Sequence, residues 1–217
     1  MNAFVLAGGQ STRMGRDKAL IEFHGRPLIE HALAKLRALG IAPNIAGNRP
    51  DLARYAPIIS DNYPNSGPLG GIEAALAVSS LAASDQDLNL FLPVDLPLLP
   101  IEFLRWMAAR AEQTAALATI PRLQGRPQPL CAVYHRALLS HAQAALAVGD
   151  AKVTRAVERA SAATGSAIDA FDIEAIAASL TPASAWPETP SVHRWFQNLN
   201  TPGDLEKAAL EESTIIH

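Results

Sequence analysis

Short apolar runs alternate along this chain with longer segments in which apolar residues recur at helical spacing. The runs at 3–7 and 88–94 are almost continuously apolar, which is typical of strands buried on both faces of a sheet. Weaker strand patterns lie at 43–46, 56–60, 115–120 and 130–134. Helical patterns lie at 27–39, 71–82, 101–113, 136–148 and 153–163. Because strands alternate with helices, the chain is predicted to be an α/β protein with a mostly parallel central sheet and helices on both faces.

The C-terminal part of the chain departs from this alternation. Three prolines, Pro182, Pro187 and Pro190, interrupt the segment 181–193 and predict an irregular surface loop. A short strand is expected near 195–199, followed by a helix at 202–210 with Thr201 as its N-cap and Pro202 at its first position. No shift in composition divides the chain, so we expect a single domain over residues 1–217.

Composition and charge narrow the classes of protein that fit. With 217 residues and 49% hydrophobic side chains, the chain can bury a substantial core. A formal charge of −3 gives no reason to expect a nucleic-acid or membrane-surface partner, and no apolar run is long enough to span a bilayer. The single cysteine, Cys131, excludes a cysteine-rich metal site and fits a reducing compartment. We therefore expect a cytoplasmic protein whose metal, if it binds one, has oxygen ligands.

A glycine loop follows the first predicted strand. Residues 6–18 read LAGGQSTRMGRDK, in which the paired glycines let backbone N–H groups converge, and Arg13, Arg16 and Lys18 add positive charge. This composition predicts a phosphate-binding loop. It is neither a Walker motif nor a GxGxxG dinucleotide fingerprint. A simple turn followed by a solvated basic face is the alternative.

Two aspartates stand where predicted strands end. Asp95 follows the apolar run 88–94, and ligand crevices of open α/β sheets lie at the carboxyl ends of such strands. A carboxylate there can hold a cation, or it can instead cap the next helix. Asp61 follows the strand pattern 56–60, and its alternative role is to form the turn Asp61-Asn62-Tyr63-Pro64.

The other polar and aromatic candidates receive ordinary structural roles. The six histidines contain no pair at i, i+4, so we expect them to be structural or solvated. Cys131 lies in an apolar run and is expected to be a core thiol. Trp186 and Trp195 flank the proline-rich loop and are expected to pack it against the domain, with a role in lining a substrate site as the alternative.

Five stretches spaced over nearly the whole chain resemble the molybdenum cofactor guanylyltransferases, which are MobA-like nucleotidyltransferases. They are LAGGxSxRMGxDK at 6–18, Asp61 followed by GPLGG at 67–71, DLP at 95–97, QPLCAVY at 128–134 and NLNTPGDL at 198–205. The resemblance implies a single-domain, Rossmann-like, three-layer α/β fold of the nucleotide-diphospho-sugar transferase type. It also implies a nucleotide-binding half at about 1–100 and an acceptor-binding half at about 101–217.

The resemblance also implies roles for particular residues, matched position by position. The implied nucleotide-binding residues are Leu6, Ala7, Gly8, Gly9, Lys18, Asn48, Asp61 and Asp95. The implied catalytic residues are Arg13, Lys18 and Asp95, and Asp95 is also the implied Mg²⁺ ligand. The implied acceptor-binding residues are Lys152, Asn198 and Asn200. One position departs from the family pattern: Ala46 stands where some members have an asparagine, which affects one contact to the base or the ribose.

The implied reaction transfers GMP from GTP to the terminal phosphate of molybdopterin and releases pyrophosphate. The nucleophile is a phosphate monoester with a second pKa near 6, so it is already ionised at neutral pH and needs no general base. Catalysis then consists of positioning and charge neutralisation. Molybdoenzymes or other cofactor-biosynthesis proteins are the expected partners. Two alternatives stay open: another Mg²⁺-dependent nucleotidyltransferase, using CTP or a sugar phosphate, and a non-catalytic nucleotide-binding protein.

Overall fold

A computed structural model describes residues 1–8, 17–81, 86–180, 186 and 191–197. The strands are β1 (Asn2–Leu6), β2 (Glu22–Phe23), β3 (Arg26–Pro27), β4 (Asn44–Ala46), β5 (Ile58–Ile59), β6 (Leu88–Pro93), β7 (Ala118–Leu123), β8 (Arg126–Pro127), β9 (Ala132–His135) and β10 (Ile168–Asp172). The helices are α1 (Leu28–Arg37), α2 (Gly67–Leu81), α3 (Ile101–Thr114), α4 (Leu139–Ala147), α5 (Val153–Thr164), α6 (Ile173–Ser179) and α7 (Val192–Trp195).

The central sheet is mostly parallel, as predicted. Its strand order is β10-β7-β9-β6-β1-β4-β5, with β8 paired to β7, while β2 and β3 form a separate hairpin. β1 is parallel to β4 and β6, β4 to β5, and β7 to β10. β9 is antiparallel to both of its neighbours, β6 and β7, which the apolar pattern did not indicate. The carboxyl ends of β1, β4, β5 and β6 therefore meet at one edge of the sheet.

Helices cover both faces of the sheet and make a three-layer fold. In β1, Ala3 and Val5 face a core shared with α1 and α3, whereas Phe4 and Leu6 face a core shared with α2, α4 and α5. A strand buried on both faces has no polar alternation, which explains the continuous apolar run in the sequence. None of the described helices has the combination of length and hydropathy needed to cross a bilayer.

The C-terminal segment corrects one prediction and confirms another. The strand expected near 195–199 is wrong for the described residues, because Val192–Trp195 is helix α7 and the chain turns at Phe196. Trp195 and Trp186 are buried, with ring centroids 5.4 Å apart, and both contact Phe103 edge-on or tilted. The expected packing role of the two tryptophans is thereby confirmed. The helix expected at 202–210 lies outside the described residues.

Three further elements differ from the pattern-based prediction. The second long helix begins at Gly67 rather than at 71, because Pro68 is tolerated in a first helical turn. β10 and α6 were not predicted: β10 is an edge strand whose residues are mostly half-buried, so it lacks a continuous apolar run.

Cys131 is fully buried, as expected of a core thiol, and burial raises its pKa.

Candidate active site

A cavity lies where the carboxyl ends of the parallel strands meet. From β1 the chain runs to β4 and β5 on one side and then returns to β6 on the other, so β1 and β6 flank the point where the strand order reverses. Open α/β sheets bind ligands in the crevice outside this point. The cavity is lined by residues that include Leu6, Gly8, Lys18, Ala46, Asp61 and Asp95, together with the first turn of α2.

Lys18 and Asp95 form an ion pair within this cavity. The Lys18 Nζ donates to Asp95 Oδ2 at 2.5 Å, and the two side chains are only 24% and 15% exposed. Lys18 begins a short 3₁₀ turn, Lys18–Leu20, which Asp17 caps by accepting from the Ala19 N–H at 3.0 Å. Asp95 does not cap α3, because that helix begins at Ile101 with Pro100 at its N-cap. The structure therefore joins a cation from the glycine-loop segment to the carboxylate after β6.

Asp61 lines the same cavity and contains a buried acceptor atom. Its Oδ1 atom is buried and accepts no hydrogen bond from any described residue, whereas its backbone N–H donates to Asn48 Oδ1 at 3.3 Å. Burial raises the pKa of the Asp61 carboxyl, and the nearby Glu73 charge raises it further. A buried oxygen without a donor is costly, so a donor from a bound molecule would stabilise it.

Glu73 connects the Asp61 loop to the second half of the chain. This side chain is fully buried in α2, and its two carboxylate oxygens accept from Asn62 Nδ2 at 3.0 Å and Gln143 Nε2 at 2.9 Å. Asn62 follows Asp61 directly, and Gln143 lies in α4. The motifs did not identify Glu73, although a charge within the Ala-rich pattern of α2 was a usable signal.

Small residues shape the mouth of the cavity. Gly47 has a φ of +138°, and a Cβ built there would lie 2.9 Å from the Gly8 nitrogen, so only glycine lets these two strand exits approach. A Cβ at Gly71 would make ordinary contacts, 3.5 Å from Leu6 Cδ2 and 3.6 Å from Asp61 Oδ1. At Gly71 the missing side chain therefore keeps space open next to Asp61.

The predicted acceptor residue Lys152 lies in a neighbouring groove, not in the cavity itself. This wider groove shares Gly67 and Pro68 with the cavity, so the two are contiguous. Arg155 and Arg159 also line it, and both pair with Asp150, at 3.1 Å and 2.9 Å. The groove is thus a basic surface next to the Lys18–Asp95 pair.

The structure brings most of the predicted site together. Leu6, Gly8, Lys18, Asp61 and Asp95 line one cavity. Ala7 and Asn48 lie beside it: the Ala7 N–H donates to the Ala46 carbonyl at 3.2 Å, and Asn48 holds the Asp61 backbone.

The remaining predicted residues fall on parts of the chain without a structural description. Gly9, Arg13, Asn198 and Asn200 lie outside the described residues. Their roles stay predictions.

A mostly parallel α/β sheet with a lysine and two carboxylates at its switch point has the ligand-binding crevice of open α/β proteins. Residues 3–164 match the family model described as the MobA-like NTP transferase domain, and the chain belongs to this family of nucleotidyltransferases. A molybdenum cofactor guanylyltransferase from Xanthomonas euvesicatoria pv. vesicatoria (strain 85-10) is 43% identical over 109 residues, which are 50% of this chain and 53% of that protein. The chain thus spans about half the length of this relative.

Two further comparisons extend over nearly the whole chain. A molybdenum cofactor guanylyltransferase from Syntrophotalea carbinolica (strain DSM 2380 / NBRC 103641 / GraBd1) is 32% identical over 208 residues, covering 95% of this chain and 89% of that protein. The crystal structure of molybdopterin-guanine dinucleotide biosynthesis protein A from Archaeoglobus fulgidus has a TM-score of 0.75 at 24% identity, covering 99% of this chain and 100% of that one. The structural likeness confirms the predicted fold.

Proposed function

We propose that this chain transfers GMP from GTP to the terminal phosphate of molybdopterin, releases pyrophosphate, and so forms the guanine dinucleotide form of the molybdenum cofactor. The observation that carries the proposal is the convergence of Lys18, Asp61 and Asp95 in one cavity at the switch point of the sheet. The names of the relatives support guanosine as the nucleoside and molybdopterin as the acceptor.

The nucleotide would bind along the strand ends with its nucleoside next to Asp61. Asp61 Oδ1, which has no hydrogen-bond partner among the described residues, would be available as an acceptor, and guanine and ribose both offer N–H or O–H donors. The backbone of Leu6, Ala7 and Gly8 lies at the end of β1, where a phosphate or ribose can approach without a side chain at Gly8. In this arrangement the phosphates would extend toward Lys18.

The difficulty of the reaction is electrostatic. A dianionic phosphate must approach a triphosphate that carries about four negative charges, so the site must neutralise charge rather than remove a proton. Lys18 would contact the phosphates of GTP, with Arg13 as a second cation from the glycine loop. The acceptor would lie in the adjoining basic groove near Lys152, with Asn198 and Asn200 close to the reacting phosphates. Holding both substrates in these two contiguous spaces supplies the positioning.

The residues of the cavity fit a Mg²⁺ ion bound together with nucleotide. Mg²⁺ in such sites takes one or two protein carboxylates and completes its shell with phosphate oxygens and water. Asp95 supplies one carboxylate, which already holds a cation in its contact with Lys18. No group of three or more His, Cys, Asp or Glu side chains suited to a metal occurs among the described residues, and phosphate oxygens of the nucleotide would supply further ligands. When bound, Mg²⁺ would offset the charge of the phosphates.

The proposal is tested by following product formation from GTP and molybdopterin with Mg²⁺. Lys18→Ala and Asp95→Asn are each expected to lower the rate at least about a hundredfold, the usual loss when one charge-stabilising group is removed. Asp87→Asn is the matched control, because Asp87 precedes β6 and pairs with Arg136, whereas Asp95 follows the same strand. Transfer at the wild-type rate in either test variant would contradict the mechanism.

The same assay separates the alternatives. Transfer from CTP in preference to GTP, or transfer to a sugar phosphate, would keep the reaction class and change the substrate. Nucleotide binding without any transfer would indicate a non-catalytic accessory protein. We expect the reaction in the cytoplasm, with molybdoenzymes or other cofactor-biosynthesis proteins as recipients of the product.

A further inference from the structure

We infer that Arg49 is a positioning residue that sets the orientation of Lys18 through Asp17. The inference rests on the proposed function in one respect, since it assigns to Lys18 a contact with the nucleotide phosphates. Neither the motifs nor the comparisons give Arg49 a role.

Arg49 is a buried cation that joins three segments of the chain. Its side chain is 9% exposed and follows the end of β4. On one side its Nε and Nη2 donate to the two Asp51 oxygens at 2.9 Å and 2.7 Å. On the other side its Nη1 donates to Asp17 Oδ1 at 3.1 Å, and its Nη2 contacts Asp17 Oδ2. The Nη1 also reaches the Ala7 carbonyl at the end of β1, at 3.5 Å.

Asp17 connects Arg49 to the short turn that begins at Lys18. Asp17 is the residue directly before Lys18, and its Oδ1 accepts both from Arg49 and from the Ala19 N–H at the start of the Lys18–Leu20 turn. The turn fixes the direction in which Lys18 leaves the backbone. The guanidinium therefore ties the exit of the glycine loop to the ends of β1 and β4, which are the strands that frame the cavity.

The chemistry requires arginine at this position. A guanidinium presents five donors in a planar fork and can bind two carboxylates in bidentate fashion at once, whereas a lysine ammonium acts as a point charge on one of them. Asp51 strengthens the arrangement, since its hydrogen bonds to Arg49 lower the Asp51 pKa and raise the Arg49 pKa. Arg49→Lys therefore keeps the charge and removes the bridge.

The test is a double-mutant cycle between Arg49 and Lys18. In the wild-type background, Arg49→Lys is expected to lower kcat for GMP transfer about tenfold, with a smaller change in KM for GTP. In the Lys18→Ala background the same substitution should change kcat less than about twofold, because the group that it orients is gone. Asp17→Asn should behave in the same way as Arg49→Lys.

Additive losses would overturn the inference. If Arg49→Lys costs about tenfold in both backgrounds, Arg49 stabilises the fold or the site independently of Lys18. Equal activity of Arg49→Lys and wild type would overturn it as well. Arg54→Lys is the matched control: Arg54 is an exposed arginine nearby that contacts the Tyr55 hydroxyl, and its substitution should leave kcat unchanged.

A second readout keeps this inference separate from the proposed function. The same cycle is measured on the affinity for GTP with Mg²⁺ by calorimetry, which requires no acceptor. Wild-type protein that binds GTP but transfers no GMP contradicts the proposed function, while a non-additive cycle in affinity still supports the role of Arg49. Additive changes in affinity overturn that role whatever the transfer assay shows. Wild-type protein that binds no nucleotide contradicts both.

Discussion

Asp61 combines a cost in stability of the folded protein with the ligand-binding role that we propose for it. Its Oδ1 is buried without a donor from the described residues, and both burial and the nearby Glu73 charge raise its carboxyl pKa. The ionised carboxylate that would accept hydrogen bonds from a nucleoside is thus the form that its surroundings in the protein disfavour. Such conflicts between stability and local chemistry are typical of functional sites.

Asp61→Asn is therefore expected to stabilise the protein near neutral pH. Because the folded-state pKa of Asp61 lies above its unfolded value of about 3.9, ionisation of this group costs stability as the pH rises through the folded-state pKa. The cost disappears below about pH 4, where the carboxyl is protonated in both states. Thermal unfolding of both proteins at about pH 7.5 and about pH 4 should show the gain in melting temperature at the higher pH only, together with weaker GTP binding.

Asp51→Asn is a control for which we expect the opposite change in stability. Arg49 lowers the Asp51 pKa, so this substitution should cost stability near neutral pH rather than add to it. A neutral-pH loss of stability in Asp61→Asn, or a gain that does not depend on pH, would contradict the account of Asp61.

Among the secondary-structure elements, the ends of the strands line the cavity, and their spacing decides where a side chain fits. Gly47 at the end of β4 approaches the end of β1 so closely that a Cβ would lie 2.9 Å from the Gly8 nitrogen. Gly71 in the first turns of α2 faces the same cavity with ordinary clearance, since a Cβ there would have no neighbour within 3.4 Å. The two glycines thus have different reasons for lacking a side chain.

Gly47→Ala and Gly71→Ala should separate stability from binding. Gly47→Ala introduces both strain at positive φ and a backbone clash, and should lower the free energy of unfolding by about 2 kcal/mol or more. Gly71→Ala lies within a helix, so it should leave stability unchanged or slightly higher while its methyl group crowds Asp61 Oδ1 and weakens nucleotide binding. Denaturant unfolding and calorimetry on both variants test this, and loss of binding only in parallel with loss of stability would refute it.

The elements that the sequence predicted well are those with a continuous burial signal. β1, β6, α3 and α5 were placed to within a few residues because each is buried along a run or a stripe. The helix α7 was missed because neighbouring prolines mask its short pattern.

The residues of the candidate site also divide into those that the sequence predicted and those that it did not. Asp61 and Asp95 could be found because parallel strands end at one edge. The Arg49–Asp17 bridge joins residues 32 positions apart and depends on how two loops pack, which no local pattern encodes.

At the scale of the whole molecule, strand order determines where the cavity lies. The reversal between β1 and β6 opens this cavity, and Gly67 and Pro68 at the start of α2 line both the cavity and the adjoining basic groove that contains Lys152. Glu73 in the same helix accepts hydrogen bonds from Asn62, next to Asp61, and from Gln143 in α4. Helix α2 therefore lines both the cavity and the groove and connects the Asp61 loop to α4.

The most direct test of the account is calorimetric titration of the protein with GTP, CTP, UTP and ATP, each with and without Mg²⁺. The account predicts preferential binding of GTP, tighter binding when Mg²⁺ is present, and loss of that Mg²⁺ effect in Asp95→Asn. Preference for CTP or UTP would contradict the assignment of guanosine while leaving the reaction class in place. Absence of binding for all four nucleotides would contradict the central claim that this cavity is a nucleotide site.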